Sequence, residues 1–404
     1  MRTTCSIFIS RSLRLTQSAD SPAIFWRIIA VLVIAATITL TTAASALDYI
    51  TIQQGETKTE IEGKIEVEAQ DGGVLLLGRD GVLWPIPKEE LVSRRSDDKP
   101  FKPLTRSELA KKLTAELPAG FKIHETKHYL ICYNTSLGYA QWVGSLYERL
   151  YGSFYNYWER RKCELHEPEF PLVALVFDSP ASYSQYARKE LGEATKSIIG
   201  YYSLQSNQVN MCDLTGIEEL GVRGDRSSAA RINAVLSQPG AERTVATIIH
   251  EATHQLAYNS GLQVRFADVP FWVSEGLAIY FETPDLQSAK GWRNIGGVNR
   301  VNLINFRKLL RGRADDSLTT LLSDDKRFRD PNLALDAYGE AWALNYFLLR
   351  TREQKFIAYL KELAQLSPLV DEGADFRLTM FKKHFGEDLG ALDTEFLRYM
   401  RSVQ

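Results

Sequence analysis

The chain of 404 residues has little cysteine and no excess of charge of either sign. Four cysteines without a CxxC pair or a repeated spacing argue against a cysteine-based zinc site and a dense disulfide framework. The 48 basic and 50 acidic side chains lack the basic excess of a nucleic-acid-binding surface, so we expect no nucleic-acid partner. With 26 glycines, 14 prolines and 45% hydrophobic residues, the composition is that of a globular protein with room for two or three domains.

A single long apolar run lies near the N-terminus. Residues 1–27 carry four arginines against one aspartate, and residues 28–46 carry no charge and end in Ala-Ser-Ala, a pattern that a signal peptidase cleaves. We therefore predict a signal peptide over residues 1–46, whose removal makes the protein periplasmic or extracellular and takes its formal charge from −2 to −5. Because nineteen apolar residues are close to the minimum that spans a bilayer, an uncleaved anchor is the alternative, and only then would the membrane be a partner.

Cys132, Cys163 and Cys212 remain in the mature chain, an odd number for an oxidising compartment. At most one disulfide can form among them within the chain. Cys132 and Cys212 both lie in strand-like segments, so they are the favoured pair, and three buried unpaired thiols are the alternative.

Residues 48–92 contain short alternating segments separated by turn dipeptides such as Asp80-Gly81. They predict a small β-meander or barrel-like module over residues 47–95. The following segment 93–104, SRRSDDKPFKPL, is polar and contains proline, so we predict a linker there.

Beyond the linker, residues 105–404 predict a larger domain with both helices and strands. Apolar segments near 128–134, 171–177 and 207–212 predict three strands of one sheet. After Tyr338 the apolar residues recur almost wholly at helical spacing, which predicts an α-helical C-terminal lobe. The predicted fold class is therefore α+β.

The segment TVATIIHEATHQLAYN predicts a helix that presents metal ligands. Its apolar residues recur at helical spacing, and it contains neither glycine nor proline. His250 and His254 stand four residues apart, so one helical face presents both imidazoles to a common point. Glu251 projects beside them and completes an HExxH pattern, in which two imidazoles bind zinc and the carboxylate is the general base toward water.

A third ligand follows on a second predicted helix, in PFWVSEGLAIYFE. Glu275 lies on this helix, 21 residues after His254. A catalytic zinc takes three protein ligands and keeps one position open, so the carboxylate of Glu275 completes the set. By itself, Glu275 would be interpreted as an ordinary solvated acid.

The HExxH pattern also occurs at residues 124–128, within FKIHETKHYLICYN. This segment alternates like a strand, and side chains four apart on a strand lie about 13 Å from each other, too far to bind one ion. Lys127 would also place a positive charge beside the metal. We therefore attribute this match to chance.

The residues HEATHQ, Asn259 and WVSEGLAIYFE resemble the zinc core of gluzincin metallopeptidases. The pattern is similar to that of the aminopeptidase N family, and the stretch from about Thr105 to Arg401 resembles an uncharacterised family of secreted bacterial proteins with a peptidase-MA-like domain. The resemblance implies a thermolysin-like catalytic domain that uses Zn²⁺ to hydrolyse peptide bonds in peptides or proteins. It implies that His250, His254 and Glu275 bind zinc and that Glu251 is the general base.

The chain also departs from these families. The Gly-x-Met-Glu-Asn motif that captures a substrate's amino end in aminopeptidases is absent, so we do not expect amino-terminal trimming. Ile279 replaces the acid that thermolysin-like members carry four residues after the ligand, so Asn259 or Glu282 is expected to orient a ligand instead. The resemblance places Tyr338 near a tyrosine that stabilises the oxyanion, with a packing role as the alternative. Segment 207–212 is expected to form the sheet edge beside the cleft, where an extended peptide could add as a strand.

Two other functions stay open at this point. A secreted binding or scaffold protein could retain zinc without turnover, although a purely structural site usually has four protein ligands and no use for Glu251. A zinc hydrolase could also act on a substrate other than a peptide. Another divalent ion fits histidine and carboxylate ligands as well.

Overall fold

The computed structural model describes most of the chain, namely residues 46–196, 198–216, 229–237, 241–283 and 295–404. Those residues form two compact units, one ending at Pro103 and the other beginning at Leu104. The architecture is mixed α+β, as predicted, with a sheet-rich N-terminal region and a helical C-terminal region. Residues 1–45 of the predicted signal peptide lie outside the described residues. Among the residues that are described, no helix is long and apolar enough to cross a membrane.

The first unit is an open antiparallel sheet with the strand order β4-β3-β2-β1-β5, and it does not close into a barrel. Its strands are β1 (Ala46–Gln54), β2 (Thr57–Glu68), β3 (Val74–Gly78), β4 (Leu83–Ile86) and β5 (Leu91–Pro100). Strands β1 to β4 form a meander joined by tight turns, and Gly81 in the β3–β4 turn has the positive φ of 84° that favours glycine.

The linker predicted over residues 93–104 is wrong for residues 93–100. Those residues belong to β5, which pairs antiparallel with β1. The segment looked like a linker because an exposed edge strand carries charged side chains, which discourage pairing with another chain. Here Arg94 reaches across β1 to Glu68 of β2, at 2.6 Å, and Arg95 lies over the ring of Tyr49 in β1, at 3.6 Å from its centroid.

The second unit contains a five-stranded sheet with the order β6-β7-β8-β10-β9. Its strands are β6 (Lys122–Glu125), β7 (Tyr129–Tyr133), β8 (Leu172–Phe177), β9 (Gly200–Tyr202) and β10 (Gln208–Cys212). The three strands predicted for one sheet are confirmed as β7, β8 and β10. Strand β8 is central and parallel to both neighbours, and all its residues are buried, as expected for a continuous apolar run covered on both faces.

One prediction about this sheet is wrong. Segment 207–212 is not the edge, because β9 pairs antiparallel with the outer side of β10; a three-residue strand is too short to show a hydrophobic period. Of the two alternatives for the cysteines, the structure has the unpaired one: Cys132, Cys163 and Cys212 are buried free thiols. Strand β8 lies between β7 and β10, which separates their chains by about 10 Å, more than the span of a disulfide.

Helices cover both faces of the sheet and continue to the C-terminus. They are α1 (Arg106–Glu116), α2 (Leu137–Glu159), α3 (Pro180–Leu191), α4 (Ala229–Leu236), α5 (Glu242–Asn259), α6 (Phe271–Phe281), α7 (Arg300–Leu309), α8 (Ser317–Ser323), α9 (Lys326–Arg329), α10 (Ala334–Thr351), α11 (Glu353–Leu363), α12 (Gly373–Phe385) and α13 (Leu389–Ser402). Helices α2 and α5 share one core with the sheet, and α1 and α3 share a core on its other face. Helix α6 packs against both α5 and α10.

Candidate metal centre

Helix α5 carries the HExxH residues and is fixed by its apolar side. The side chains on that side are fully buried: Val245, Ile248, Ile249, Ala252 and Leu256. His250 and His254 project one helical turn apart, and their Nε2 atoms lie 3.0 Å from each other. The helix therefore presents two imidazole nitrogens to one point, as the sequence predicts.

Helix α6 brings Glu275 to the same point. The Glu275 side chain is completely buried, with Oε2 3.0 Å from Nε2 of His250 and Oε1 3.5 Å from Nε2 of His254. One ligand atom from each of these three residues lies within 4.8 Å of the others. The structure thus brings together the three residues that the sequence predicts as metal ligands.

The position of Glu275 depends on a close contact between α6 and α10. A Cβ atom on Gly276 would lie 2.0 Å from Nδ2 of Asn345 and 2.7 Å from the carbonyl oxygen of Ala341, so only glycine fits there. The Asn345 amide occupies this space and donates hydrogen bonds to the backbone oxygens of Trp272, at 2.7 Å, and of Ala341, at 2.8 Å. The backbone of α6 beside Glu275 is therefore held at a fixed distance from α10.

The chemistry of the three side chains fits a cation at their centre. Oε1 of Glu275 is buried and accepts no hydrogen bond, its separation from His254 being too long for one. Two imidazole lone pairs and a carboxylate facing one another repel unless a proton or a metal ion lies between them. Burial raises the pKa of Glu275, but His254 and His250 outweigh it and bring the pKa to about 2. A buried carboxylate is therefore kept ionised, as a metal ligand must be, and the group could hold a metal ion.

Glu282 orients His250 from the outer side. Its Oε1 lies 2.6 Å from Nδ1 of His250, and its Oε2 accepts a hydrogen bond of 3.1 Å from the amide of Asn299. Burial lowers the pKa of His250, but the carboxylates of Glu275 and Glu282 outweigh this effect and hold the pKa well above its usual value. When a metal ion replaces the proton on Nε2, a carboxylate on Nδ1 would fix the tautomer whose Nε2 lone pair points at the centre. Of the two residues considered for this role, the structure gives it to Glu282 and not to Asn259.

His254 has a neutral outer partner. Its Nδ1 lies 3.3 Å from the hydroxyl oxygen of Ser274, which donates in turn to Oε1 of Gln263 at 3.2 Å. All three side chains are buried. The hydroxyl relay fixes the second imidazole with the same orientation as the first, with Nε2 toward the centre.

A second face of α5 binds the hairpin formed by β9 and β10. Oε2 of Glu251 accepts a 2.8 Å hydrogen bond from the backbone N–H of Tyr202 in β9. One turn later, the Gln255 amide donates to the backbone oxygen of Asn207 at 2.9 Å. A further turn on, Asn259 and Asn207 exchange two amide hydrogen bonds of 2.7 and 2.8 Å. Glu251 is thus held beside the metal ligands by an element that its own helix fixes in place.

Tyr338 lies in the second turn of α10, where it is buried and packs edge to face against Phe328 at 5.3 Å between ring centroids. This contact accounts for a packing role. Its catalytic role stays a prediction.

The first HExxH match spans a turn and not a single strand. His124 lies in β6 and His128 immediately before β7, so the predicted continuous strand is wrong and is a β6–β7 hairpin. Glu148 of α2 closes this turn, accepting from the backbone N–H of His128 at 2.7 Å and lying 2.6 Å from its Nδ1. Within the described ranges, the group that could hold a metal ion is the one on α5 and α6.

Apart from Glu282, the partners that orient the site were not predicted from the sequence. The Tyr202 contact uses a backbone N–H, which no side-chain pattern reveals. Ser274 precedes Glu275 directly, and Gln255 follows His254 directly. Gln255 also stands four residues after Glu251, and this helical spacing could have indicated that the two side chains share one face.

The fold and the site define an α+β protein with a buried His-His-Glu group that could hold a metal ion. A family model described as a protein of unknown function (DUF1570) matches residues 244–370, the stretch that contains all five predicted site residues. No curated protein matches the chain.

Proposed function

We propose that the protein is a zinc-dependent metallopeptidase with a gluzincin-like, thermolysin-like catalytic domain. The observation that carries this proposal is the convergence of His250, His254 and Glu275 with Glu251 adjacent on the same helix. Two imidazoles and one carboxylate are a ligand set of catalytic zinc sites, whereas structural sites usually have four protein ligands. A zinc ion held there supplies Lewis-acid polarisation of a carbonyl group and of a water molecule.

Three residues of the chain are proposed to provide proton transfer, its positioning and oxyanion stabilisation. Glu251 takes a proton from the attacking water and returns it to the leaving amine as the peptide bond breaks. The Tyr202 N–H holds one carboxylate oxygen of Glu251 in place during both transfers. The Tyr338 hydroxyl is proposed to donate a hydrogen bond to the developing oxyanion.

The substrate is proposed to be a peptide or protein that lies beside β9. This strand is the outermost strand of its sheet, and Tyr202 at its end contacts Glu251. The N–H of Tyr202 is taken by Glu251, so an extended peptide that adds to this edge would pair with the other outward backbone groups of β9 and lie next to Glu251. We further propose that the protein acts outside the cytoplasm, and N-terminal sequencing of the exported chain should find Leu47 as the first residue.

The decisive variant is Glu251→Gln, because glutamine keeps the size of the side chain but cannot take the proton. Metal content should stay at the native level, while cleavage of a broad peptide library falls about 10²- to 10⁴-fold. Glu125→Gln is the matched control, since Glu125 is the exposed central acid of the other HExxH match and should keep full activity. Undiminished cleavage by Glu251→Gln would contradict the mechanism.

Metal analysis with and without a chelator separates the alternatives. Native protein should contain zinc, and His250→Ala should lose it. Zinc without cleavage of any peptide or ester would favour a zinc-retaining binding protein, and cleavage of esters alone would favour a hydrolase of another substrate class.

A further inference from the structure

Helix α7 exposes a face that combines positive charge with aliphatic side chains. Leu303 and Phe306 are buried in the core, and the opposite side of the helix lies in solvent. Positions three and four apart share a helix side, so the solvent side is continuous along the helix. This basic face, as we name it, consists of Arg300, Val301, Ile304, Arg307, Lys308 and, just beyond the helix, Arg311.

The cations of the basic face form no ion pair within the described part of the chain, although Arg307 donates to the backbone oxygen of Val403 at 2.6 Å and Asp315 and Asp316 follow Arg311 closely in the sequence. No acidic residue occurs between Ile295 and Ala314. By contrast, Arg313 pairs with both Glu340 at 2.7 Å and Asp393 at 2.6 Å. In a chain with a formal charge of −2, the face is a local region of positive potential.

Aliphatic side chains lie within this positive region. Val301 is 43% exposed and Ile304 is 52% exposed. Both side chains lie on the solvent side of α7, among its cations. A polyanion without an apolar part would gain no free energy from covering these aliphatic side chains.

We propose that the basic face docks on the surface of an anionic lipid bilayer. Arg300, Lys308 and Arg311 would contact the headgroups, and Val301 and Ile304 would enter the boundary between headgroups and acyl chains. The remaining surface has net negative charge and is repelled, so docking selects one orientation. Asn299 caps α7 and donates a hydrogen bond to Glu282, the residue that contacts His250. Helix α7, which this orientation places on the bilayer, therefore begins next to the candidate metal centre. The proposal does not depend on any catalytic activity.

The test is co-sedimentation of the exported protein, with its N-terminus verified by mass spectrometry, with phosphatidylglycerol-containing or pure phosphatidylcholine vesicles. Each cation near an anionic surface contributes about fivefold to the partition coefficient. Lys308→Glu/Arg311→Glu should therefore reduce binding to the anionic vesicles by about 25-fold or more. Arg188→Glu/Lys189→Glu, the same charge change on the exposed end of α3, is the matched control and should keep native binding.

A further variant tests the apolar part, since Val301→Ser/Ile304→Ser keeps every charge. It should bind anionic vesicles several-fold more weakly than the native protein, and circular dichroism of each variant shows whether α7 and the core are intact. Equal binding of native protein to both vesicle types would overturn the proposal. Unchanged vesicle binding by folded Lys308→Glu/Arg311→Glu would also overturn it. If polyglutamate displaces the protein from anionic vesicles, and does so equally for the native protein and the serine variant, the partner is an acidic polypeptide instead.

Discussion

Removing the outer carboxylate at Glu282 should weaken metal binding without removing a ligand. Its Oε1 lies 2.6 Å from Nδ1 of His250, so it fixes the tautomer and raises the basicity of the nitrogen that faces the centre. Loss of such an outer partner typically costs 10- to 100-fold in metal affinity, about 1.4–2.8 kcal/mol. Glu282→Gln keeps an acceptor oxygen and should be near the lower limit, whereas Glu282→Ala should be near the upper limit.

The measurement is competition for zinc against a chromogenic chelator, with metal-free protein at fixed pH. Glu148→Gln is a matched control, because Glu148 also lies 2.6 Å from a histidine Nδ1, that of His128, but at the β6–β7 turn. It should bind zinc with native affinity. The reasoning fails if folded Glu282→Ala binds zinc as tightly as the native protein, or if Glu148→Gln is weakened equally.

Two further predictions concern stability, measured by urea unfolding. Glu340→Ala should cost about 3–5 kcal/mol, because Glu340 is fully buried and its removal leaves Arg327 without its carboxylate partner and Arg313 with Asp393 alone. Lys112→Ala, at an exposed i,i+4 pair, should cost less than about 0.5 kcal/mol. Similar values for the two variants would contradict this. Gly276→Ala should cost about 1–3 kcal/mol and weaken zinc binding, since its Cβ would overlap Asn345, whereas Gly312→Ala enters open space and should change neither quantity.

The parts of the site that follow from local geometry could be predicted from the sequence. The four-residue spacing of His250 and His254 on an apolar-periodic helix determines that both face one point, whatever surrounds the helix. Glu275 could be placed through its motif and through the apolar residues that flank it in α6, such as Trp272 and Ala278. Strand β8 was equally visible, since a strand covered on both faces needs apolar side chains throughout.

The parts that depend on pairing between distant segments could not be predicted. Strand β5 is polar along its length, and only its register with β1 makes it a strand. Strand β9 has three residues, and only its pairing with β10 shows that it, and not 207–212, forms the edge. The turn at residues 124–128 is closed by Glu148, a side chain from another element, which no pattern within FKIHETKHYLICYN can reveal.

The two faces of α5 matter to anyone who would transplant this motif into a different scaffold. Copying His250, His254 and a facing glutamate would reproduce the ligands alone. The neighbouring face carries Glu251, Gln255 and Asn259, each four residues after the one before. It needs a hairpin that runs alongside these three positions and whose turn is bound to the same helix. The smallest unit to transfer is therefore the helix together with β9 and β10. A graft without these strands would carry the three candidate ligands but would lack the backbone N–H that orients Glu251.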